Sequence, residues 1–397
     1  MGVRTAVVLA AGEGTRLHPL TRNRPKPMLP AANRPVMAYV FDALIDAGIE
    51  QIHVVVGYKR DRVQEYFGHS YRNVPLSYHV QEKQLGSGHA LLQAQEAVTE
   101  SMIVVNGDRA LEPGIVKDVM DAYEQYGTPA LAVLERDHPN RYGTVVLDGG
   151  RIQQLVEKPD VAISRLINAG VYAFDASIFD AIDQTPREDG ELALTTTISR
   201  LIDEGTVVRG VRTEGMWVDA TYPWDILHMN RELLARGRVE EPSEDGEVWV
   251  ADSALVHEDA TLLGPVVIGP DCVVGPGSVI GPNVALGRNV TIGANATVEQ
   301  SVIDADTRVG PGSVLIDCVT GQDVHLGAST IVPGGPADVR INAHVYQDQE
   351  LGAVFADRVR AEGAISVAPG TLVGSGAHLH TGVQISGYIV EGAEVMR

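Results

Sequence analysis

The sequence holds only two cysteines, Cys272 and Cys318, in 397 residues. They have neither the spacing of metal ligands nor enough partners for a disulfide framework, so both read as small buried apolar residues. Lysine is nearly as scarce: Lys26, Lys59, Lys83, Lys117 and Lys158 are all there are. Positive charge as a whole is short, with 31 Lys and Arg against 52 Asp and Glu and a net charge of −21. That balance argues against nucleic acid and against an anionic membrane as a partner. A strongly acidic, lysine-poor surface is also what a salt-loving organism would use. No apolar run approaches the roughly 18 residues that span a membrane. The N-terminus lacks the basic start and small-residue cleavage site of a secretory signal. These absences point to the cytoplasm.

What is present is enough chain for two or three domains, with 44% apolar residues to fill their cores. The stretch around which the rest is organised runs from Leu9 to Pro35, LAAGEGTRLHPLTRNRPKPMLPAANRP. It follows a short apolar run, Ala6 to Leu9, with the length and composition of a buried parallel strand. Gly12, Gly14 and Thr15 allow a tight turn whose N–H groups can approach an anion. Arg16, Arg22, Arg24 and Lys26 follow, with Pro25 and Pro27 stiffening the chain around Lys26. Strand, glycine turn and cations on a stiff loop make a site for a highly charged phosphate. Two common phosphate patterns do not fit. A dinucleotide fingerprint needs glycine where Leu17 stands, and no Gly-Lys-Ser/Thr follows as a P-loop requires.

The run G-x-G-T-R-L-x-P-L-T followed by P-K-P-x-L-P resembles the signature of the sugar-1-phosphate nucleotidylyltransferases. Several later segments resemble elements of the same family, in the same order. Gln81 to Ala90, QEKQLGSGHA, is similar to its base-recognition loop and closest to the uridylyltransferase branch. Asn106-Gly107-Asp108 ends an apolar strand. Tyr142-Gly143, Val156-Glu157-Lys158-Pro159 and Asn168-Ala169-Gly170 are similar to its sugar-phosphate elements. Trp217 to Asp225, WVDATYPWD, is similar to W-x-D-x-G-T-P-x-D, with Thr221-Tyr222 replacing glycine and threonine.

The resemblance implies a role for each matched residue. Arg16 and Lys26 would be catalytic. Leu9, Ala11, Gly12, Gly14, Thr15, Gln81, Gly86 and Ser87 would bind the nucleotide. Gly143, Glu157, Lys158 and Asn168 would bind the sugar phosphate. Asp108 and Asp219 would hold Mg²⁺. The implied reaction joins a nucleoside triphosphate, UTP or dTTP, to glucose 1-phosphate or N-acetylglucosamine 1-phosphate and releases pyrophosphate.

From Thr5 to about Arg236, apolar strands alternate with amphipathic stretches, which predicts an α/β domain with a Rossmann-like, mostly parallel sheet over 1–236. Helices are expected over Val36 to Ala47, Ala90 to Val98 and Ile226 to Arg236. Residues 237–247 are acidic and read as a linker. Over 248–397 the texture changes. Gly269, Gly275, Gly281, Gly287 and Gly293 recur every six residues, each preceded by Ile268, Val274, Ile280, Leu286 or Ile292. Ile303, Val309 and Leu315 continue after a phase slip, and Val367, Val373, Leu379 and Ile385 form a second register. A short even period returns the same strand face inward at every repeat. The apolar position would fill the axis and the glycine would allow the turn. The pattern resembles a left-handed parallel β-helix of hexapeptide repeats, whose flat sides suit a homo-oligomer, by family a trimer.

A nucleotidylyltransferase followed by such a coil is similar to bifunctional enzymes that also transfer an acetyl group. The positions of that family's His and Tyr hold Pro311 and Val314 here, and its Asn is replaced by Gly334. Neither Pro311 nor Val314 can accept a proton. His325, His344, His378 and His380 remain on the coil. An acetyltransferase working through other residues and a non-catalytic metabolite sensor stay open beside the enzyme reading.

Overall fold

A computed structural model describes residues 2–243 and 246–397; Glu244 and Asp245, in the acidic stretch 237–247, lie outside the described residues. The chain divides into two compact units. One comprises Met1–Glu13 and Val36–Trp217; the other comprises Gly14–Pro35 and Val218–Arg397. The division runs through the glycine turn of the signature stretch, so its cationic part is built into the second unit.

The first unit is built on a ten-stranded sheet. Thr5–Ala10 lies between Gln51–Val56 and Met102–Asn106, parallel to both, and Val74–Val80 extends the parallel part beyond Gln51–Val56. Leu166–Phe174 enters antiparallel beside Met102–Asn106 and turns the rest of the sheet mixed. Val7 and Val104 belong to a core with Leu91, Ile178, Phe179 and Ile198. The alternate residues Ala6, Val8, Ile103 and Val105 are buried as completely. Burial of successive residues means both faces are covered, as a parallel sheet requires. Val36–Asp46 packs with Pro113–Tyr126, and Ser87–Leu92 packs with Ser177–Asp183 and Leu194–Asp203. The helix expected over Ala90 to Val98 is instead Ser87–Leu92, continued by hydrogen-bonded turns from Gln93 to Val98. The last helix is Pro223–Leu234, with Pro223 at its first position, where its missing N–H costs nothing.

In the second unit, the chain from Val248 onward coils through three parallel sheets of eight, eight and seven strands, a parallel β-helix. Val248 pairs with Val266 and Val266 with Val284, eighteen residues on each time, or three hexads per circuit. From Ala285 to Val302, and from Val302 to Val319, the step is seventeen, which is the phase slip seen in the repeat. From Cys318 to Ala353 it is far longer, because a hairpin of Ala337–Ile341 and His344–Gln349 is inserted. Ile268, Val274, Ile280, Leu286 and Ile292 fill the axis at 0–1% exposure. Cys272 and Cys318 are buried among them as free thiols, and burial pushes the Cys272 thiol up to about 11.

Apart from Gly281, whose own φ is 109°, the glycines of the repeat do a different job from the one expected. The left-handed turn is made two residues later, at Asp271, Gly277, Asn283, Asn289 and Asn295, all with φ between 55° and 68°. Short polar side chains and glycine tolerate that conformation best. The hexad glycines give clearance: a Cβ on Gly275 would lie 2.9 Å from the backbone nitrogen of Ala294 in the next coil.

Candidate functional site

In the first unit, the expected nucleotide residues gather at the carboxyl ends of the parallel strands. Leu9 closes its strand by accepting the Gly107 N–H at 2.9 Å, and Ala11 accepts the Tyr58 N–H at 3.4 Å. Gly12 follows, exposed. Gln81 continues Val74–Val80 and is 4% exposed. Its Nε2 donates to the Gly86 carbonyl at 3.1 Å and lies 2.9 Å from His89 Nδ1, so one amide holds both ends of the Gly86 turn. Burial, and then the charge of Arg187, lower the pKa of His89 and favour the neutral ring that this contact needs. The Ser87 hydroxyl accepts the Leu194 N–H at 2.9 Å, and Gly88 N–H donates to Leu192 O at 2.8 Å. Leu192 and Leu194 also shape this loop, yet nothing in their local sequence signals it.

The sugar-phosphate elements also meet within this unit. Asn168 N–H donates to Gly143 O at 2.8 Å, and Lys158 N–H donates to Tyr142 O at 3.2 Å. A Cβ on Gly143 would sit 3.0 Å from Glu157 Oε2 and 3.6 Å from Asn168 Cβ. The Asn168 amide donates to Tyr172 Oη at 2.8 Å and accepts the Gly170 N–H at 2.9 Å, which fixes its rotamer. Glu157 and Lys158 stay about half exposed, with Lys158 Nζ 3.7 Å from Glu157 Oε1. Three segments separate in sequence thus present one carboxylate, one ammonium and one locked amide together.

Asp108 ends its strand as expected, at intermediate burial, beside Arg109 Nε at 3.6 Å. Arg109, which follows the Gly-Asp pair, has a structural task. Its guanidinium donates to Ala169 O and lies 4.9 Å from the centroid of the Trp217 ring, whose Nε1 donates to the same carbonyl at 2.9 Å.

In the second unit, Gly14 turns the chain with φ 69° into Thr15–Leu17. Thr15 is exposed and Arg16 half-buried. A Cβ on Gly14 would sit 2.9 Å from Lys26 Cβ, so only glycine lets the turn lie against the lysine stem. Lys26 opens a second short turn, Lys26–Met28, braced by Met28 N–H to Pro25 O at 2.9 Å. Arg24 departs from the phosphate role assigned to its neighbours. It is 6% exposed and donates to Asp304, and to Asp357 at 2.6 Å, both on the coil. Burial works against its charge, but the two carboxylates outweigh that and hold it protonated above the usual range. The signature segment is further tied to the described part of 237–247, through Arg34 to Glu240 at 2.9 Å and Asn33 to Glu241 at 3.0 Å.

Asp219 is 9% exposed and accepts the Thr221 hydroxyl. Asp225 Oδ2 caps the last helix by accepting the N–H groups of Thr221 at 2.9 Å and Tyr222 at 2.6 Å. Burial, and then the neighbouring Asp219 charge, push Asp225 up to about 7. Tyr222, the departure in this motif, stacks on Trp224 at 4.8 Å and shares a hydrogen bond with Tyr346 of the inserted hairpin at 2.8 Å. Its ring carries Arg16 6.0 Å above the centroid. Burial and that hydrogen bond push the Tyr222 phenol up to about 12. The tyrosine therefore supports Arg16. Crowded negative charge at Asp219 and an all-oxygen donor chemistry fit a hard cation such as Mg²⁺.

A nucleotidyl transferase family model matches residues 5–236. The chain belongs to that family. A second model, the GMPPB C-terminal domain, matches residues 262–390 of this nucleotidyl transferase. Among its relatives is the bifunctional protein GlmU of Methanococcus maripaludis strain C7, 35% identical over 387 residues, covering 93% of this chain and 92% of that protein. UTP–glucose-1-phosphate uridylyltransferase AglF of Haloferax volcanii is 36% identical over 224 residues, 55% of this chain and 92% of that one. The fold is shared over part of the chain with a crystal structure of UDP-glucose pyrophosphorylase complexed with UDP-glucose. That likeness has a TM-score of 0.55 at 24% identity and covers 59% of this chain and 99% of that one. Among the described residues no helix of this nucleotidyl transferase is long and apolar enough to cross a membrane.

Proposed function

We propose that this nucleotidyl transferase joins a nucleoside triphosphate, UTP or dTTP, to a sugar 1-phosphate and releases pyrophosphate. Glucose 1-phosphate and N-acetylglucosamine 1-phosphate are the favoured acceptors. The packing of Gly14 on the Lys26 stem carries this reading, because it holds an ammonium beside a glycine turn suited to phosphates. In-line transfer of this kind depends on positioning and charge neutralisation. A phosphate oxygen of the sugar 1-phosphate attacks the α-phosphorus, and the bond to the β-phosphate breaks.

Arg16 holds the leaving phosphates, steadied on the Tyr222 ring. Lys26 meets the negative charge that builds at the α-phosphate. Leu9, Ala11, Gly12, Gly14 and Thr15 approach the nucleotide through backbone groups, and Gln81, Gly86 and Ser87 read its base. Glu157 and Asn168, with the Gly143 backbone, hold sugar hydroxyls, and Lys158 holds the attacking phosphate. Asp108 and Asp219 are the carboxylates for Mg²⁺, which when bound would neutralise phosphate charge. UTP is favoured because the Leu85 to Ala90 segment is closest to the uridylyltransferase branch, and AglF is named for UTP.

The coil serves assembly in this reading, as a homo-oligomer with three copies favoured. Acetyl transfer by the known route is not part of it, since Pro311 and Val314 offer no base. The test is pyrophosphate release with Mg²⁺ at high salt, across five triphosphates and both sugar 1-phosphates. Release with one UTP or dTTP pair is expected; silence with every pair, from folded protein that binds no triphosphate, would overturn the proposal.

A further inference from the structure

In a parallel coil, residues that point outward from one strand stack on outward residues of the coils before and after. Leu379 is fully buried, so its neighbours His378 and His380 both point outward. Ala361 pairs with Leu379 and Leu379 with Val395. Glu362 of the preceding coil thereby stands against His380, and Glu394 of the following coil against His378.

The side chains converge. Glu362 Oε1 lies 3.2 Å from His378 Nε2 and 3.2 Å from His380 Nδ1. These three donor atoms all lie within 4.8 Å of one another. The two imidazole rings stack with centroids 4.5 Å apart. A tetrahedral Zn²⁺ with bonds of about 2.0–2.2 Å has ligand-to-ligand edges of about 3.3 Å, close to both measured separations.

Two of the three donors are also aimed by a second partner. Glu362 Oε2 accepts the Thr381 N–H at 2.9 Å and the Thr381 hydroxyl at 3.0 Å, which turns Oε1 toward the rings. His380 Nε2 lies 3.0 Å from Glu394 Oε1. With Nε2 donating there, the Nδ1 of a neutral ring is an acceptor. It then faces a carboxylate oxygen, itself an acceptor, and either a second ring proton or a metal cation between them satisfies the pair. A carboxylate behind a ligating imidazole is the usual support of a metal-bound histidine.

We propose that Glu362, His378 and His380 form a binding site for a divalent transition-metal ion, with Zn²⁺ as the best fit, oriented by Glu394 and Thr381. Two imidazoles and one carboxylate leave a coordination position open to water, and nitrogen donors prefer Zn²⁺ to Mg²⁺.

The test titrates chelator-treated full-length protein with Zn²⁺ by calorimetry, in excess Mg²⁺ to occupy hard-oxygen sites. Co²⁺ is then added as a coloured reporter of coordination. One Zn²⁺ equivalent per chain is expected, with visible Co²⁺ absorption that Zn²⁺ abolishes. His378→Ala and His380→Ala should each lose that equivalent and the absorption. Glu394→Gln should keep the stoichiometry and bind about 10–100-fold more weakly. These residues are at least partly exposed, so the variants should melt as the parent does without metal. No binding by the parent, or equal binding by His378→Ala, would overturn the site.

Discussion

The sheet of the first unit and the coil of the second both bury β-strands, but they leave different places for chemistry. In the sheet, successive residues such as Ala6, Val7 and Val8 are all buried, so both faces are closed. Polar residues then gather where strands end, as Gln81 and Asp108 do. A polar side chain inside a central strand, such as His53, must stay neutral. In the coil one strand face fills the axis and the other looks outward. Its polar residues therefore stand in columns, in register from coil to coil, like Asn289 on Asp306 at 2.7 Å or His378 on Glu394. Burial on both faces concentrates chemistry at strand ends, and burial on one face spreads it along a side.

The largest effect expected from this contrast concerns the glycine turn. Lys26→Ala should cut turnover by about 10²–10³-fold, as removal of a single electrostatic stabiliser does. Its melting temperature should stay near the parent's. Steady-state kinetics beside a thermal melt would show both, and near-parental turnover would remove Lys26 from the reaction.

Two residues away, Arg24 should behave in the opposite way. Arg24→Ala leaves Asp304 and Asp357 buried and uncompensated, which should cost about 3–5 kcal/mol. Denaturant unfolding measures that loss. Replacing all three residues by neutral ones of similar size should recover part of it. An unchanged midpoint for Arg24→Ala would break the claim that the signature segment is anchored by this ion cluster.

The smallest effect is a pH dependence from within the sheet. His53 is 2% exposed, with Nδ1 2.9 Å from His79 Nε2. Burial, and then His79, push its pKa down to about 4, against an ordinary value of about 6.5. The unfolded chain takes up a proton that the folded protein refuses. This contribution is complete above about pH 6.5 and is lost as pH falls toward 4. His53→Gln should flatten the fall in melting temperature across that window, and parallel profiles would show that the histidine is not the cause.

Much of this architecture is legible in the sequence because it rests on periodicity. The apolar hexad forecasts the coil, and its slip before Ile303 becomes a circuit of seventeen residues. The strand at Ala6 to Leu9 is readable because a run buried on both faces has no polar interruption. The turn residues of the coil are just as periodic, yet glycine draws attention from the Asp and Asn column that makes the left-handed turn. Other features have no local signal. Arg24 meets partners 280 and 333 residues away, and beside a glycine turn it looks like one more phosphate cation. Tyr222 looks like a lapse from a motif until Tyr346, Trp224 and Arg16 are seen around its ring. The Ser87 helix starts early because Gly86 and the Leu192 carbonyl set its first turn.

The most direct test of the central claim follows the α-phosphate. The protein would be incubated with α-labelled UTP or dTTP, a sugar 1-phosphate and Mg²⁺. The account predicts that all transferred label appears in a nucleotide sugar, with one pyrophosphate released for each molecule formed. Label recovered as free nucleoside monophosphate, or retained in the triphosphate while it is bound, would contradict it.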